Sequence, residues 1–211
     1  MKSGDVPINT RPAQKSLDQH RENTVSRNPG PFPLTRVQRK SRWTSTGGQI
    51  HYCVTLVGWA GVADINCRAA RLRVLGSPRY AVAALWQILF PKRRSAKLVL
   101  DDQSFEGEFV LVAACNTIFS GSGMRLAPRA KVDDGKMDVV VVRNASRWQM
   151  LRLFAKVFDG SHVDRPCVEY YQVRSLSIVS DDREPLDLDG EIKATAPVSI
   201  ETIPGAIRVF V

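Results

Sequence analysis

Apolar residues are scattered without a period over roughly the first 30 positions and turn regular only from Gln49 onward. His51–Val57 combines β-branched and aromatic residues over a strand's length, which predicts a strand followed by a turn punctuated by Gly58 and Gly61. Asp64 to about Leu75 has a helical pattern that stops at Gly76. Pro78 stands where a second helix can begin. Tyr80, Ala83, Ala84, Gln87 and Ile88 then follow at helical spacing as far as Pro91. Lys97–Leu100, Phe109–Cys115 and Met137–Arg143 are compact apolar runs that predict strands. Ser146 is placed to cap a helix carrying Trp148, Leu151, Phe154, Ala155 and Phe158 on one face and closed by Gly160. The C-terminal third predicts six more strands: Val168–Val173, Leu176–Ser180, Leu186–Asp189, Ile192–Thr195, Val198–Thr202 and Ile207–Val211. Asp189-Gly190 marks a hairpin.

Many short strands with two or three helices, and no βαβ alternation, predict an α+β fold: a mainly antiparallel, sandwich-like domain. The organisation expected is a disordered basic tail over 1–31 and one domain over 32–211. At 44% hydrophobic residues, the chain can build an ordinary core. The net charge is +9, and nine basic against three acidic residues up to Ile50 supply +6 of it. That balance favours anionic partners such as phosphate esters or an acidic membrane surface. Nucleic acid is not expected as a partner. Phe109, Tyr170 and Tyr171 read as partly buried strand residues, not as the exposed aromatics of an RNA- or single-strand-binding sheet. Cys53, Cys67, Cys115 and Cys167 form no CxxC pair and read as reduced thiols of a cytoplasmic protein, with peripheral membrane association.

Three stretches offer chemistry. Between Ile65 and Leu100 stand Arg68, Arg71, Arg73, Arg79, Lys92, Arg93, Arg94 and Lys97, with no Asp or Glu. Arg73 and Arg79 flank Gly76, so a bend there would turn two guanidinium forks toward one anion, whereas a solvated basic face is the plainer reading. Leu188-Asp189-Gly190-Glu191, preceded by Asp187, would project two carboxylates from a tight turn able to hold Mg²⁺ through water, or would be an ordinary β-turn. The loop from Asn116 to Gly135 carries Gly121 and Gly123 but opens no helix, so neither a dinucleotide fingerprint nor a P-loop is present there.

Taken in order, these stretches resemble the sphingosine/ceramide/diacylglycerol family of lipid kinases. Gly58-Trp59-Ala60-Gly61-Val62-Ala63-Asp64 is similar to the family's G-W-G-x-x-A-D. Arg73-Val74-Leu75-Gly76-Ser77-Pro78-Arg79-Tyr80 is similar to its R-x-x-G-x-x-R-Y. Met124 to Ala130 with Asp134-Gly135-Lys136-Met137-Asp138, Trp148 to His162, and Asp189-Gly190-Glu191 follow in the family's order. The resemblance implies the C-terminal lobe of an enzyme that transfers the ATP γ-phosphoryl group to a lipid hydroxyl, whether of a sphingoid base, ceramide or diacylglycerol. It places Arg73 and Arg79 on the ATP phosphates. It puts Asp189, Gly190 and Glu191 on the nucleotide, with Asp189 and Glu191 contacting Mg²⁺ through water. It sets Asp64 and Asn66 at the lipid.

Two departures qualify that picture. Sphingosine kinases carry an acid where this chain has Asn66. The family's G-G-D-G-T loop, which supplies the catalytic Asp, is approximated only by Gly47-Gly48-Gln49, so no catalytic residue is assigned in this chain. A preceding nucleotide lobe is therefore expected as a partner, and phosphotransfer by these residues alone is not. The alternative from another class is a non-catalytic basic module that binds acidic membrane or nucleic acid.

Overall fold

The computed structural model describes residues 31–39, 50–76, 78–121 and 123–208. Nearly all of the expected tail, and most of the basic segment, lie outside the described residues. The chain runs β1 (Pro31–Arg39), β2 (Ile50–Cys53), β3 (Leu56–Ala60), α1 (Gly61–Arg71), a 3-10 turn (Arg73–Leu75) and α2 (Arg79–Leu89). It continues through β4 (Arg94–Leu100), β5 (Gln103–Cys115), β6 (Met137–Arg143), α3 (Arg147–Lys156), a second 3-10 turn (Ser161–Asp164) and β7 (Val168–Val173). It ends with β8 (Ser175–Val179), β9 (Pro185–Leu188), β10 (Glu191–Thr195) and β11 (Val198–Arg208).

The eleven strands form one antiparallel sheet in the order β10-β9-β3-β5-β4-β8-β11-β1-β2, with β6 on β5 and β7 on β6. Its long strand β5 pairs through its first half with β4 and through its second half with β3 and β6. The sheet curls, so one sheet supplies the sandwich-like core expected from the sequence. Trp59, Phe109, Val139 and Val141 meet Leu98, Leu176, Ile178 and Ile200 on its concave side. Its other face is covered by the helices, and alternation is strict in β6: Met137, Val139 and Val141 face the concave core, Val140 and Val142 the helices. In β5 a register shift between Phe109 and Leu111 moves the concave positions from Phe109 to Val112 and Ala114. Helix α3 begins with a reciprocal capping box in which Gln149 N–H donates to Ser146 Oγ and Ser146 N–H donates to Gln149 Oε1.

Three local expectations change. The strand expected over His51–Val57 is two strands broken at Val54 and Thr55. Gly58 lies inside β3, not in a turn: a Cβ there would stand 2.2 Å from Val62 Cγ1, so glycine is what lets α1 pack onto the strand. The strand expected at Val198–Thr202 continues through Ile207 and Arg208, the described part of the one expected at Ile207–Val211, as a single β11, against which an unanticipated β1 pairs; 209–211 lie outside the described residues.

Candidate functional site

Helices α1, α2 and α3 do not lie flat on the sheet. Between them and β3, β5, β6 and β9 opens a cavity of about 620 Å³, a typical size for a small-molecule site. Ile65, Leu111, Val142, Met150, Leu153 and Phe154 make its walls apolar, and Asn66, Gln87, His162, Asp187 and Asp189 are its main polar members. Among the described residues no helix is long and apolar enough to cross a membrane.

One wall ends in the β9–β10 hairpin. Asp189 and Gly190 form its two-residue loop, both at positive φ (52° and 90°), which the Asp-Gly pair tolerates and most residues do not. This conformation swings the Asp189 carboxylate back onto the break between β2 and β3. Oδ1 accepts from Thr55 N–H (2.8 Å), Leu56 N–H (3.0 Å), Thr55 Oγ1 (2.5 Å) and Cys53 Sγ (2.9 Å), while Oδ2 accepts from Val54 N–H (2.8 Å). The carbonyls of the same bend are taken by Asn116, whose N–H donates to Thr55 O (2.8 Å) and whose Nδ2 donates to Val54 O (3.0 Å). The single expected strand is therefore broken by a carboxylate that satisfies three backbone donors away from the ladder. Burial would raise the Asp189 pKa, but the bonds from Cys53, Thr55, Val54 and Leu56 outweigh it and hold the group at about 2.

Asp187 has the opposite character. It is 1% exposed in β9 and lines the cavity. The Asn66 amide donates to Oδ2, and Oδ1 has no partner. Burial pushes its pKa up to about 6, against the Asn66 bond and a backbone N–H from Gly190. Gln87, 2% exposed in the middle of α2, also lines the cavity with its Nε2 unpaired. His162 donates from Nε2 to Leu126 O (3.1 Å) and leaves Nδ1 unpaired, and burial lowers its pKa.

The remaining sequence-derived candidates fall in different places. Asn66 lines the cavity; Asp64 does not. Its carboxylate is gripped by Arg94, with Nη1 at 2.9 Å and Nη2 at 2.7 Å, while Arg94 Nε donates to Glu184 at 2.5 Å. Gly190 lies on the cavity rim, and Glu191 is exposed beside Lys193. Arg73 lies in the exposed turn before Gly76, whose φ is 62°, and Arg79 opens α2 with its guanidinium 4.9 Å from the Tyr80 ring centre. Neither forms an ion pair among the described residues. A resident Mg²⁺ is not matched by these groups alone: Asp189 already accepts five hydrogen bonds, and no group of three or more His, Cys, Asp or Glu among the described residues could hold a metal ion.

Residues 56–211 match the model of the YegS C-terminal NAD kinase beta sandwich-like domain. The chain belongs to this lipid kinase family, as its C-terminal lobe. A YegS-like lipid kinase of Shewanella frigidimarina is 32% identical over 134 residues, 64% of this chain and 43% of that protein. A diacylglycerol kinase of Mycobacterium tuberculosis is 27% identical over 218 residues, 98% of this chain and 69% of that protein. The solved structure of a candidate diacylglycerol kinase of Bacillus anthracis shares the fold, with a TM-score of 0.63 at 22% identity over 83% of this chain and 54% of that one. The chain thus spans about half the length of several of the relatives it matches.

The YegS-type lobe explains why separate motifs reach one place. The Gly58–Asp64 stretch builds β3 and α1, Arg79 and Tyr80 start α2, and Asp189-Gly190-Glu191 turns β9 into β10; all three border the cavity through Val62, Tyr80 and Gly190. Sequence reasoning missed Gln87 and His162, which read as a helix position and as the end of the Trp148–His162 motif, and it gave Asp187 no role of its own. The only signal available was a polar residue on the otherwise apolar inner face of α2.

Proposed function

We propose that this lobe holds the lipid of an ATP-dependent lipid kinase, presenting a lipid hydroxyl to the γ-phosphoryl group of Mg·ATP bound at the rim formed by Arg73, Arg79 and the Asp189-Gly190-Glu191 turn. The observation that carries the reading is the apolar cavity, which opens beside that turn and beside the start of α2. Among the described residues Arg73 and Arg79 have no acidic partner, and the N-terminal end of an 11-residue helix adds its own affinity for phosphate. A lobe with a glycine-rich phosphate loop would complete the nucleotide site and supply the catalytic Asp. Ala84 lies in α2 on the cavity wall, so Ala84→Phe should fill the space. Binding of a fluorescent acyl lipid should fall at least tenfold, about 1.4 kcal/mol, with the fold kept. Unchanged lipid binding by Ala84→Phe would defeat this reading.

Peripheral docking on an acidic membrane belongs to the same proposal. Helix α2 is apolar on both sides, yet packs only Ala83, Ala84, Gln87 and Ile88 inward. Val82, Leu85, Trp86 and Leu89 form an outward stripe continued by Phe90, which is 61% exposed. Arg68 lies over Trp86 at 5.4 Å, and this part of the chain contains cations and no acids. Such a face matches an anionic bilayer, where each cation near the surface adds about 1 kcal/mol. Vesicles containing anionic phospholipid should sediment the protein, neutral vesicles should not, and 0.5 M salt should release it. Leu85→Glu with Trp86→Ala should reduce binding at least tenfold. Equal binding by the double variant would place the membrane contact elsewhere.

A further inference from the structure

Besides His162, two side chains on the cavity wall carry a buried polar atom with no hydrogen-bond partner among the described residues. Asp187 is 1% exposed and leaves Oδ1 without a partner. Gln87 is 2% exposed and its Nε2 donates to nothing. Buried polar groups are paired in the great majority of cases, so two orphans lining one cavity need an explanation. A cavity with apolar walls cannot offer many partners to water, which needs two to four polar contacts to stay. A ligand with a donor and an acceptor of its own can supply the missing partners.

The two orphans differ in kind. Asp187 Oδ1 accepts only, and Asn66 fixes the carboxylate by donating to its other oxygen. Gln87 Nε2 donates. Its amide sits over Gly61, where a Cβ would come within 3.6 Å of Nε2 and 2.8 Å of the Val110 carbonyl. It is the Val110 carbonyl that requires glycine at 61, and the amide packs above it at ordinary contact distance. A ligand complementary to both must carry a hydroxyl for Asp187 and a carbonyl for Gln87, with apolar chains for the rest of the wall.

We propose that Asp187 and Gln87 are a specificity-determining pair that selects acylated lipid alcohols, with Asp187 accepting from the lipid hydroxyl and Gln87 donating to the neighbouring acyl carbonyl. This rests on the lipid-cavity reading above. Diacylglycerols and N-acylated sphingoid bases both have this chemistry. A free sphingoid base has the hydroxyl and lacks the carbonyl, so it leaves Gln87 buried and unpaired, a loss that typically costs tenfold or more, about 1–3 kcal/mol.

The test measures binding of three fluorescent lipids of matched chain length to the chain as it stands: a diacylglycerol, an N-acyl sphingoid base and a free sphingoid base. The parent protein should bind at least one acylated lipid about tenfold more tightly than the free base, and which one binds identifies the source of the carbonyl. Gln87→Leu should abolish that preference by weakening the acylated lipid while leaving the free base unchanged. Asp187→Asn should weaken all three by a similar factor. Because Gln87→Leu removes an unpaired polar group from an apolar site, its thermal midpoint should stay level or rise. A fall in the midpoint would mean that Gln87 is bonded within the protein, and would overturn the inference. An unchanged preference in Gln87→Leu, with lipid binding still blocked by Ala84→Phe, overturns the pair and leaves the cavity reading standing. Binding that Ala84→Phe does not affect, or no lipid binding by the parent, overturns both.

Discussion

Arg94→Ala is expected to destabilise the lobe by about 3–5 kcal/mol, a large part of a typical domain's stability. The guanidinium is 6% exposed and binds Asp64 through both Nη atoms and Glu184 through Nε. Removing it leaves two mostly buried carboxylates facing each other with only the largely exposed Lys92, 3.8 Å from Glu184, as a cation, and the poorly compensated charge outweighs whatever the intact bridge contributed. Arg94→Lys keeps the charge but cannot reach both partners in the same plane, so it should recover only part of the loss. Denaturant unfolding of the three proteins checks the order. A loss below about 1 kcal/mol for Arg94→Ala, the size of a surface pair, would mean that water already screens the triad. The effect should extend to the site. Asp64 and Asn66 share α1, while Glu184 and Asp187 flank the start of β9, so Arg94 clamps the helix against the strand that carries Asp187. Weaker lipid binding should accompany the lost stability.

The same triad shows what could and could not be seen in the sequence. Met137–Arg143 and Val168–Val173 were recognisable to the residue, because their strand patterns are set locally. Helix α3 was recognisable from Ser146, but not its inward side: Met150, Leu153 and Val157 are buried, whereas Trp148, Leu151, Ala155 and Phe158 of the expected face are exposed and Phe154 is half-buried. Arg94, counted among eight cations, looked like surface charge, and Asp64 was set at the lipid by the resemblance. Their pairing brings together residues 30 positions apart, and only the folded sheet makes it. The break at Val54 and Thr55 was hidden for the same reason, since the carboxylate that causes it is more than 130 residues away. Strand β1 lacked a local signal because Pro31, Pro33, Arg36 and Arg39 interrupt any apolar period, and it is defined by pairing with β11. The cavity is a property of how three helices stand off the sheet, so the sequence showed its polar residues without showing that they share a wall.

Asp189→Asn should cost about 2–3 kcal/mol at neutral pH, since charge-assisted bonds to three backbone N–H groups and Thr55 become neutral ones, and the new amide presents its own donors to donors. Asparagine tolerates the positive φ, so the loss reports the carboxylate and not backbone strain. The pH dependence gives the claim a second handle. The Asp189 pKa is about 2 when folded, below its usual 3.8, so its stabilisation is complete above about pH 4 and lost as pH falls through 2. Asp187 behaves in reverse. With a folded pKa of about 6, its neutral form is favoured on folding, so its contribution is present below 3.8 and is lost as pH rises through 6. Stability should therefore rise as pH is lowered from 7 toward 4, then fall below 4. Asp187→Asn should flatten the first limb and leave the second, while Asp189→Asn should do the opposite. Two-state urea titrations between about pH 2 and pH 8 would resolve both limbs. A parent curve that declines steadily from pH 7 downward would show that Asp187 is not held in the apolar wall as the structure has it.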